Sequence, residues 1–176
     1  MINGEKIALR LVKEQDLEEL YSKLSDLSHR GKYFPLTLSS HTQFKKHFFE
    51  TGFWSEDFGR FLIFDKKERL VGSIYYFKTA IYSDSLELGY LIFDKMSNGK
   101  GYMTEALELM VDYLFSTKTM NRIQLRISPQ NEPSIKLASK VGFQFDGTRK
   151  QIMFLHGKHI DLNDYVLLRE MWKPQI

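Results

Sequence analysis

A short segment with two glycines around one lysine, Ser97–Gly101 (SNGKG), constrains the fold more than any other part of the chain. The residues before it, Leu86–Phe93 (LELGYLIF), have the composition of a β-strand. After it, apolar residues recur at helical spacing, which predicts a helix that begins near Tyr102. The apolar positions of this helix are Met103, Leu107, Met110, Val111 and Leu114. The sequence therefore predicts a strand, a glycine turn and a helix, in that order.

A turn of this kind can bind phosphate groups. The first N–H groups of a helix have no partner within it, and glycine allows a ligand to approach the backbone closely. The helix dipole adds a favourable interaction with an anion. A strand-to-helix turn that binds no ligand explains the same glycines, so the pattern alone leaves both interpretations open.

Two common nucleotide-binding loops do not match this segment. A Walker loop needs a further glycine upstream and a serine or threonine directly after the Gly-Lys pair, but those positions hold Asp94 and Gly101. The Rossmann fingerprint needs a third glycine where the chain has Thr104. A nucleotide-binding protein of either type is therefore not expected.

Composition limits the other classes. The 176 residues suit a single domain, 1–176. The net charge of +3, from 25 basic and 22 acidic residues, gives no argument for nucleic-acid binding. The absence of cysteine excludes disulfides and thiolate chemistry. No apolar run reaches the roughly 20 residues of a membrane span, and the N-terminus lacks a signal-peptide pattern, so we expect a cytoplasmic protein.

The remaining patterns predict the element order β-αα-βββ-α-β-α-ββ, which is one α/β domain with a mixed, mostly antiparallel sheet flanked by helices. Asp16 with Glu19, and Ser40 with Gln43, have the spacing of capping boxes at the starts of the first two helices. A further helix begins around Pro133 and ends at Gly142. The predicted strands are Ile7–Val12, Phe61–Phe64, Leu70–Phe77, Leu86–Phe93, Ile123–Ile127, Gln151–Leu155 and Tyr165–Arg169.

Three motifs in this order resemble those of the GNAT superfamily of N-acetyltransferases, and of its RimJ/RimL-like branch in particular. Asn98–Met103 resembles the pyrophosphate loop of the family, Leu86–Tyr90 resembles a strand of the branch, and Asn131–Ser134 with Lys140–Phe143 resembles a later segment. Two positions depart from the loop: Asn98 stands where glutamine or arginine is usual, and Met103 where glycine or alanine is usual. The resemblance covers nearly the whole chain.

The resemblance implies acetyl-CoA as the co-substrate. Its pantetheine is expected in a split between two parallel strands, here Glu87–Phe93 and Ile123–Ser128, with Asn131 beside it. The implied cofactor contacts are the backbone of the first of these strands and the glycine loop: Leu91, Ile92, Phe93, Asn98, Gly99, Lys100, Gly101, Tyr102, Met103, Thr104, Asn131 and Ser134. An exposed lysine without a role explains Lys100 equally well.

Glu87 is the candidate catalytic base. It lies between Leu86 and Leu88 in a predicted strand and therefore points to the opposite face from these two leucines. A carboxylate in a partly dry cleft has a raised pKa and can accept a proton from an amine; a surface glutamate on a half-exposed sheet is the alternative. By resemblance, Ser134 is the candidate acid for the leaving thiolate, although helix capping accounts for Asn131 and Ser134 equally well.

Aromatic residues between the first helix and the central strands are candidates for acceptor binding. Tyr33, Phe34 and Trp54 are the candidate contacts, and packing in the core is the alternative. His156–His159 (HGKH) has two histidines, but a hairpin turn explains the segment, and we expect no metal.

We therefore expect an acetyl-CoA-dependent N-acetyltransferase that modifies a primary amine, either the N-terminal amine of a ribosomal or other protein or a small amine such as an aminosugar, polyamine or antibiotic. The alternative is a catalytically inactive sensor or interaction module that binds acyl-CoA. No nucleic-acid or membrane partner is expected, and the chain is expected to be a monomer or a homodimer.

Overall fold

A computed structural model of the chain describes residues 1–28 and 30–174, with only the backbone of Lys95. This part of the chain forms an eight-stranded sheet and four α-helices. The strands are β1 (Ile2–Asn3), β2 (Ile7–Leu11), β3 (Phe58–Asp65), β4 (Leu70–Lys78), β5 (Leu86–Ile92), β6 (Arg122–Ile127), β7 (Gln144–Leu155) and β8 (Lys158–Leu168). The helices are α1 (Leu17–Ser25), α2 (His41–Thr51), α3 (Tyr102–Thr117) and α4 (Glu132–Val141).

The strand order in the sheet is β1-β2-β3-β4-β5-β6-β8-β7. Strands β2 to β5 form an antiparallel meander, and β6, β8 and β7 form a second antiparallel group. The two groups meet at β5 and β6, whose pairing is parallel. This mixed sheet confirms the predicted architecture.

The element order also confirms the prediction, with the addition of β1, a two-residue strand at the sheet edge. The last two strands are longer than predicted. Strand β7 is an edge strand whose first residues are mostly exposed, and its pairing with β8 shifts register twice, between Phe145 and Gly147 and between Arg149 and Met153. Such a strand has no buried face, and so its sequence lacks the alternation that marks a strand.

The two predicted capping boxes have different outcomes. The Ser40 hydroxyl accepts a hydrogen bond from the Gln43 N–H (3.2 Å), which confirms the start of α2. The prediction for Asp16 is wrong. Its carboxylate points back along the chain, where it accepts from the Lys13 N–H (2.7 Å) and pairs with the Arg10 guanidinium (2.8 Å).

Apolar residues cover both faces of the sheet. Helices α3 and α4 pack on one face, where Leu107 and Ala138 join the main core. Helices α1 and α2 pack on the other face, where Leu20 and Phe44 form a second core around Leu62. We call these the α3 face and the α1 face. The side-chain alternation of each strand therefore decides which of two different environments a residue enters.

In the described ranges, no helix is long and apolar enough to cross a membrane. The expectation of a cytoplasmic protein stays a prediction.

Candidate active site

Strands β5 and β6 separate in the middle of the sheet. Their pairing consists of Leu86 with Ile123 and Glu87 with Gln124, although β5 continues to Ile92. The strands therefore diverge directly beyond Glu87 and leave a split between them. An extended ligand of suitable width can occupy such a split and bond to the free strand edge as an added strand does.

Alternation of the backbone decides which β5 groups face this split. The Phe93 N–H donates to the Val71 carbonyl on β4 (3.0 Å), so it is not available to a ligand in the split. Because backbone N–H groups alternate between the two edges of a strand, Leu91 also points toward β4. The backbone N–H and C=O groups of Tyr90 and Ile92 point toward the split. Leu91, Ile92 and Phe93 were expected to contact pantetheine, and of these only Ile92 directs its backbone groups toward the split. Tyr90, which was not among the expected contacts, also directs its backbone groups there.

The glycine loop adopts the conformation that the sequence indicates. Gly99 (φ 73°) and Gly101 (φ 81°) lie in the left-handed region, where a side chain is strained. Helix α3 begins at Tyr102 and has no side chain bonded at its N-terminus. The N–H groups of Tyr102, Met103 and Thr104 precede the first intrahelical donor, Glu105, and have no hydrogen-bond partner in residues 1–28 and 30–174, so they can bind an anion.

The side chains of this loop are open to solvent or partly so. Asn98 and Lys100 are exposed, and the Lys100 ammonium lies 5.9 Å from the centre of the Tyr102 ring. Neither side chain has a contact that fixes it over the loop within the described part of the chain. The backbone of the loop is thus the main candidate for phosphate binding, and the Asn98 departure alters a solvent-exposed position.

Glu87 lies on the α1 face, while Leu86 and Leu88 are buried in the main core. Its carboxylate is buried at the point where the strands part. Oε2 accepts from Gln124 Nε2 (3.1 Å) and pairs with Arg126 Nη1 (3.1 Å). Within residues 1–28 and 30–174, Oε1 has no hydrogen-bond or ion-pair partner, so Oε1 can receive a proton.

The pKa of Glu87 is raised because burial disfavours the charged carboxylate, and the nearby Arg126 guanidinium and the Gln124 hydrogen bond partly oppose this shift. Asp164 raises the pKa further, since it is a second carboxylate bound to the same arginine (Arg126 Nε to Oδ1, 3.3 Å). Arg149 Nε also pairs with Asp164 (2.6 Å), so the four side chains alternate in charge from Glu87 through Arg126 and Asp164 to Arg149. Glu87 is thus an ionisable base with a raised pKa.

Ser134 bonds to a residue on the far side of the split. Its hydroxyl lies 2.6 Å from the hydroxyl of Tyr90, which reaches it from β5 on the α3 face. Burial raises the pKa of Tyr90 to about 12, and the hydrogen bond to Ser134 opposes the shift. The Asn131 side chain accepts from the Ser134 N–H (3.4 Å) at the start of α4, so it does cap this helix. The sequence analysis did not identify Tyr90. The available signal was the alternation of side chains along β5, which places Tyr90 on the face opposite to Glu87.

The α1 face holds a cavity of about 420 Å³ between α1, α2 and strands β3 and β4. Arg30 and Arg60 line it, and its other walls are mainly aromatic. The aromatic lining residues are Tyr21, Phe34, Phe44, Phe53, Phe58 and Tyr75. Tyr75 separates the cavity from β5, and its ring covers Gly89, where an added Cβ would lie 2.3 Å from Tyr75 Cζ. We call this space the α1-face cavity.

The three candidate acceptor residues lie in different places. Phe34 lines the α1-face cavity. Tyr33 donates to the Gln130 carbonyl (2.7 Å) and lines a separate cavity beside the β7–β8 hairpin. Trp54 packs against Phe61 in the main core, in line with the core alternative.

The two histidines of the HGKH segment flank a hairpin turn, as expected. His156 and Gly157 take positive φ values between β7 and β8. Within the described ranges no group of three or more metal-ligating side chains is present. His29 lies outside the described residues.

A family profile described as an acetyltransferase (GNAT) domain matches residues 6–144. The chain belongs to the GNAT acetyltransferase family. Curated relatives of this GNAT protein are named as N-acetyltransferases, and they include ribosomal-protein acetyltransferases of the RimJ/RimL type.

Three comparisons indicate the extent of the similarity. The probable N-acetyltransferase YjcK of Bacillus subtilis is 36% identical over 103 residues, which is 57% of this chain and 54% of the relative. The ribosomal-protein-serine acetyltransferase of Escherichia coli is 28% identical over 60% of this chain and 58% of its own length. The matched regions thus span only about half of these relatives. The uncharacterised N-acetyltransferase YnaD of Bacillus subtilis is 26% identical over 97% of this chain and 98% of its own length.

Solved GNAT structures confirm the fold. RimL, a ribosomal L7/L12 alpha-N-protein acetyltransferase in complex with coenzyme A, has a TM-score of 0.82 at 20% identity, covering 96% of this chain and 97% of that one. A spermidine N-acetyltransferase from Vibrio cholerae, in complex with CoA and spermine, has a TM-score of 0.81 at 18% identity, covering 94% and 96%. At 18% and 20% identity the likeness concerns the fold and does not extend to the amine that accepts the acetyl group.

Proposed function

We propose that this protein transfers the acetyl group of acetyl-CoA to a primary amine. The observation that carries the proposal is the parting of β5 and β6 directly beyond a buried glutamate, Glu87. The glycine loop follows the open end of β5 along the chain, and Glu87 lies on the same face of the sheet as Tyr75, which lines the α1-face cavity. A donor on one side and an amine on the other would therefore meet beside Glu87.

The residues of the split and the loop fit acetyl-CoA. The N–H groups of residues 102–104, at the start of α3, offer donors for the pyrophosphate. The free edge of β5 at Tyr90 and Ile92 offers backbone groups for the amides of pantetheine. When bound, acetyl-CoA supplies an activated acetyl carbonyl, and a β5 N–H at its oxygen would stabilise the negative charge that develops there.

Glu87 would act as the base. The neutral amine forms a C–N bond with the acetyl carbon, the C–S bond breaks, and the sulfur leaves with the electron pair. The proton released by the nitrogen goes to Glu87 Oε1, directly or through a water molecule. The raised pKa of Glu87 supports this role because it brings the carboxylate closer to the pKa of an amine.

The Tyr90–Ser134 pair would act on the leaving sulfur. A thiol has a pKa of about 8.5, well below the value of about 12 for Tyr90. Proton transfer from Tyr90 to a thiolate is therefore unfavourable, whereas a hydrogen bond to it is not. We accordingly assign the pair to stabilising the thiolate, with Ser134 as the donor that Tyr90 orients, and the final proton comes from solvent.

The ease of deprotonation favours an α-amine as the acceptor. An α-amino group has a pKa of about 7.8, so roughly a tenth is neutral at pH 7. An amine with a pKa near 10.4 requires about 3.5 kcal/mol more for the same neutral fraction. A single carboxylate base therefore suits the N-terminus of a protein or an α-amine of a small molecule better than an alkyl polyamine.

Thermal unfolding with and without acetyl-CoA, followed by CoA release with a panel of N-terminal peptides and small amines, tests the proposal. We expect stabilisation by acetyl-CoA and release with at least one α-amine. Stabilisation without release for any acceptor would favour an acyl-CoA sensor, for which the Asn98 and Met103 departures are the supporting observation. Absence of stabilisation at saturating acetyl-CoA would contradict both.

A further inference from the structure

Arg60 is a partly buried arginine that lines the α1-face cavity and has no carboxylate partner among the described residues. Arg60 Nη1 donates to the Ser73 hydroxyl (3.0 Å), and its guanidinium lies 4.7 Å from the centre of the Tyr75 ring. In the described part of the chain it forms no salt bridge. Burial lowers the pKa of Arg60, yet an arginine stays charged in a protein. A buried cation that no anion balances is costly, so an anion from outside would stabilise it.

The free donors of Arg60 face the cavity. Its Nε and Nη2 groups have no hydrogen bond to the described residues. Every fully enclosed side-chain nitrogen or oxygen in this part of the chain has a hydrogen-bond partner, so Nε and Nη2 are not fully enclosed. These two groups are therefore accessible to a ligand in the cavity that Arg60 lines. Nε and Nη2 form the edge of the guanidinium that binds both oxygens of a carboxylate.

Arg30 reinforces the positive charge of the cavity but has another role as well. Its guanidinium donates to the carbonyls of Pro35 (2.7 Å) and Thr37 (2.7 Å) and to that of Leu24 at the end of α1. It thus holds the loop that closes the cavity. Among the described residues that line the cavity, none is an aspartate or a glutamate.

The cavity lies close to the proposed base. Arg60, Tyr75 and Gly89 are in register across β3, β4 and β5, so Arg60 and Gly89 are about 10 Å apart at their Cα atoms, at roughly 4.8 Å per strand. Glu87 lies two residues along β5 on the same face as Tyr75. With about 7 Å for these two residues along the strand and about 10 Å across the strands, the Cα atoms of Arg60 and Glu87 are about 12 Å apart.

We propose that the acceptor carries a carboxylate within about 12 Å of its amine, and that Arg60 binds this carboxylate while the aromatic walls of the α1-face cavity hold the apolar body between the two groups. This inference rests on the proposed function and specifies its substrate class. An acidic residue near the N-terminus of a peptide and a small amino acid-like molecule share this chemistry. A polyamine does not, since its second ammonium would meet two guanidinium groups.

Matched acceptor pairs test the inference. The small pair is 4-(aminomethyl)benzoate and its carboxamide, and the peptide set is Ser-Glu-Ala amide, Ser-Gln-Ala amide and Ser-Lys-Ala amide. Each comparison keeps the amine and changes the distal charge. We expect kcat/KM to favour the carboxylate about ten- to a hundredfold, as for a charge-assisted hydrogen bond that is lost. Preference within the small pair or within the peptides identifies which source the cavity accepts.

Arg60→Gln should remove this preference, and the matched variant Arg60→Lys, which keeps the charge but loses the two-donor edge, should retain only part of it. Acetyl-CoA stabilisation should be the same in both variants, because Arg60 lies on the α1 face. Isothermal titration of 4-(aminomethyl)benzoate and its carboxamide against the CoA-bound protein supplies a readout that needs no turnover.

Equal affinity and equal turnover for the members of both matched sets would overturn the inference, as would a preference that persists in Arg60→Gln. If the uncharged amines are still acetylated in that case, the proposed function stands and only the substrate class is wrong. If carboxylate binding depends on Arg60 but no acceptor releases CoA, the inference about the cavity holds and the proposed function fails.

Discussion

Replacing Glu87 with glutamine should separate its chemical role from its structural one. The side chain keeps its shape, and an amide oxygen can still accept the hydrogen bond from Gln124. Arg126 loses one partner but keeps Asp164. Since general bases contribute about 10²- to 10⁴-fold, and an α-amine is already about one-tenth neutral at pH 7, we expect kcat/KM to fall about a hundredfold, or about 2.7 kcal/mol in the barrier.

The stability of Glu87→Gln should change little. Burial raises the pKa of Glu87 in the folded state, so the folded protein favours the protonated carboxyl more than the unfolded chain does. The free energy of unfolding therefore falls as the pH rises from the ordinary glutamate pKa of 4.5 through the raised pKa of the folded state. Glutamine has no charge to bury, and this gain offsets the lost pair with Arg126, so we expect a melting temperature within a few degrees of the wild type.

The assay is the pH profile of kcat/KM by CoA release, between pH 6 and 9.5, with an α-amine acceptor, alongside acetyl-CoA affinity. The variant should bind acetyl-CoA normally and recover activity as the pH rises toward the pKa of the amine. A variant within threefold of the wild type at every pH, with the acceptor saturating neither enzyme, would refute the assignment of Glu87 as the base and leave it a structural carboxylate.

Three further changes have defined outcomes. Asp164→Asn removes a charge that raises the pKa of Glu87, so the acid limb of the pH profile of kcat/KM should shift to lower pH. The rate at pH 8 should stay within a few fold of the wild type. A shift of the acid limb to higher pH would contradict the electrostatic argument. Tyr90→Phe removes the 2.6 Å contact with Ser134 and should lower kcat about tenfold, as for one lost hydrogen bond, with acetyl-CoA affinity unchanged. An equal loss of kcat with a thioester whose thiol has a much lower pKa would argue against a role of Tyr90 at the leaving group. Gly101→Ala places a side chain at φ 81° and should weaken CoA binding in titration calorimetry at a cost of about 1–2 kcal/mol in stability; unchanged affinity would exclude the loop from phosphate binding.

Much of the fold was predictable because its elements have one buried face. The helix that begins at Tyr102 and the strand that begins at Leu86 show the periodicity of a side packed against a core; the structure starts the helix at the predicted residue and ends the strand at Ile92, one residue before the predicted Phe93. Strand β7 has no such face, and the periodicity could not reveal its length. Asp16 matched a capping pattern, but Arg10 across the turn competes successfully for its carboxylate, and a local motif contains no information about a partner on another element.

The candidate site was predictable where it depends on local sequence and not where it depends on strand pairing. The glycine loop and the orientation of Glu87 follow from residues that are adjacent in the chain. The partners of Glu87 do not, since Gln124 and Arg126 come from a strand more than thirty residues away that becomes a neighbour only through the parallel pairing. The charge of Arg60, which has no carboxylate partner in residues 1–28 and 30–174, is equally invisible, because a sequence cannot show which charges lack a counterion.

The split in the sheet assigns the two halves of the proposed reaction to opposite faces. Residues that would recognise the donor lie with α3 and α4, and those that would recognise the acceptor lie with α1, α2 and the loop between them. Substitutions in the second group can therefore change acceptor choice while the donor machinery stays intact. A scaffold divided in this way can diversify its chemistry toward new amines through one region alone, and selection or laboratory evolution for a new acceptor should concentrate its changes in residues 17–60.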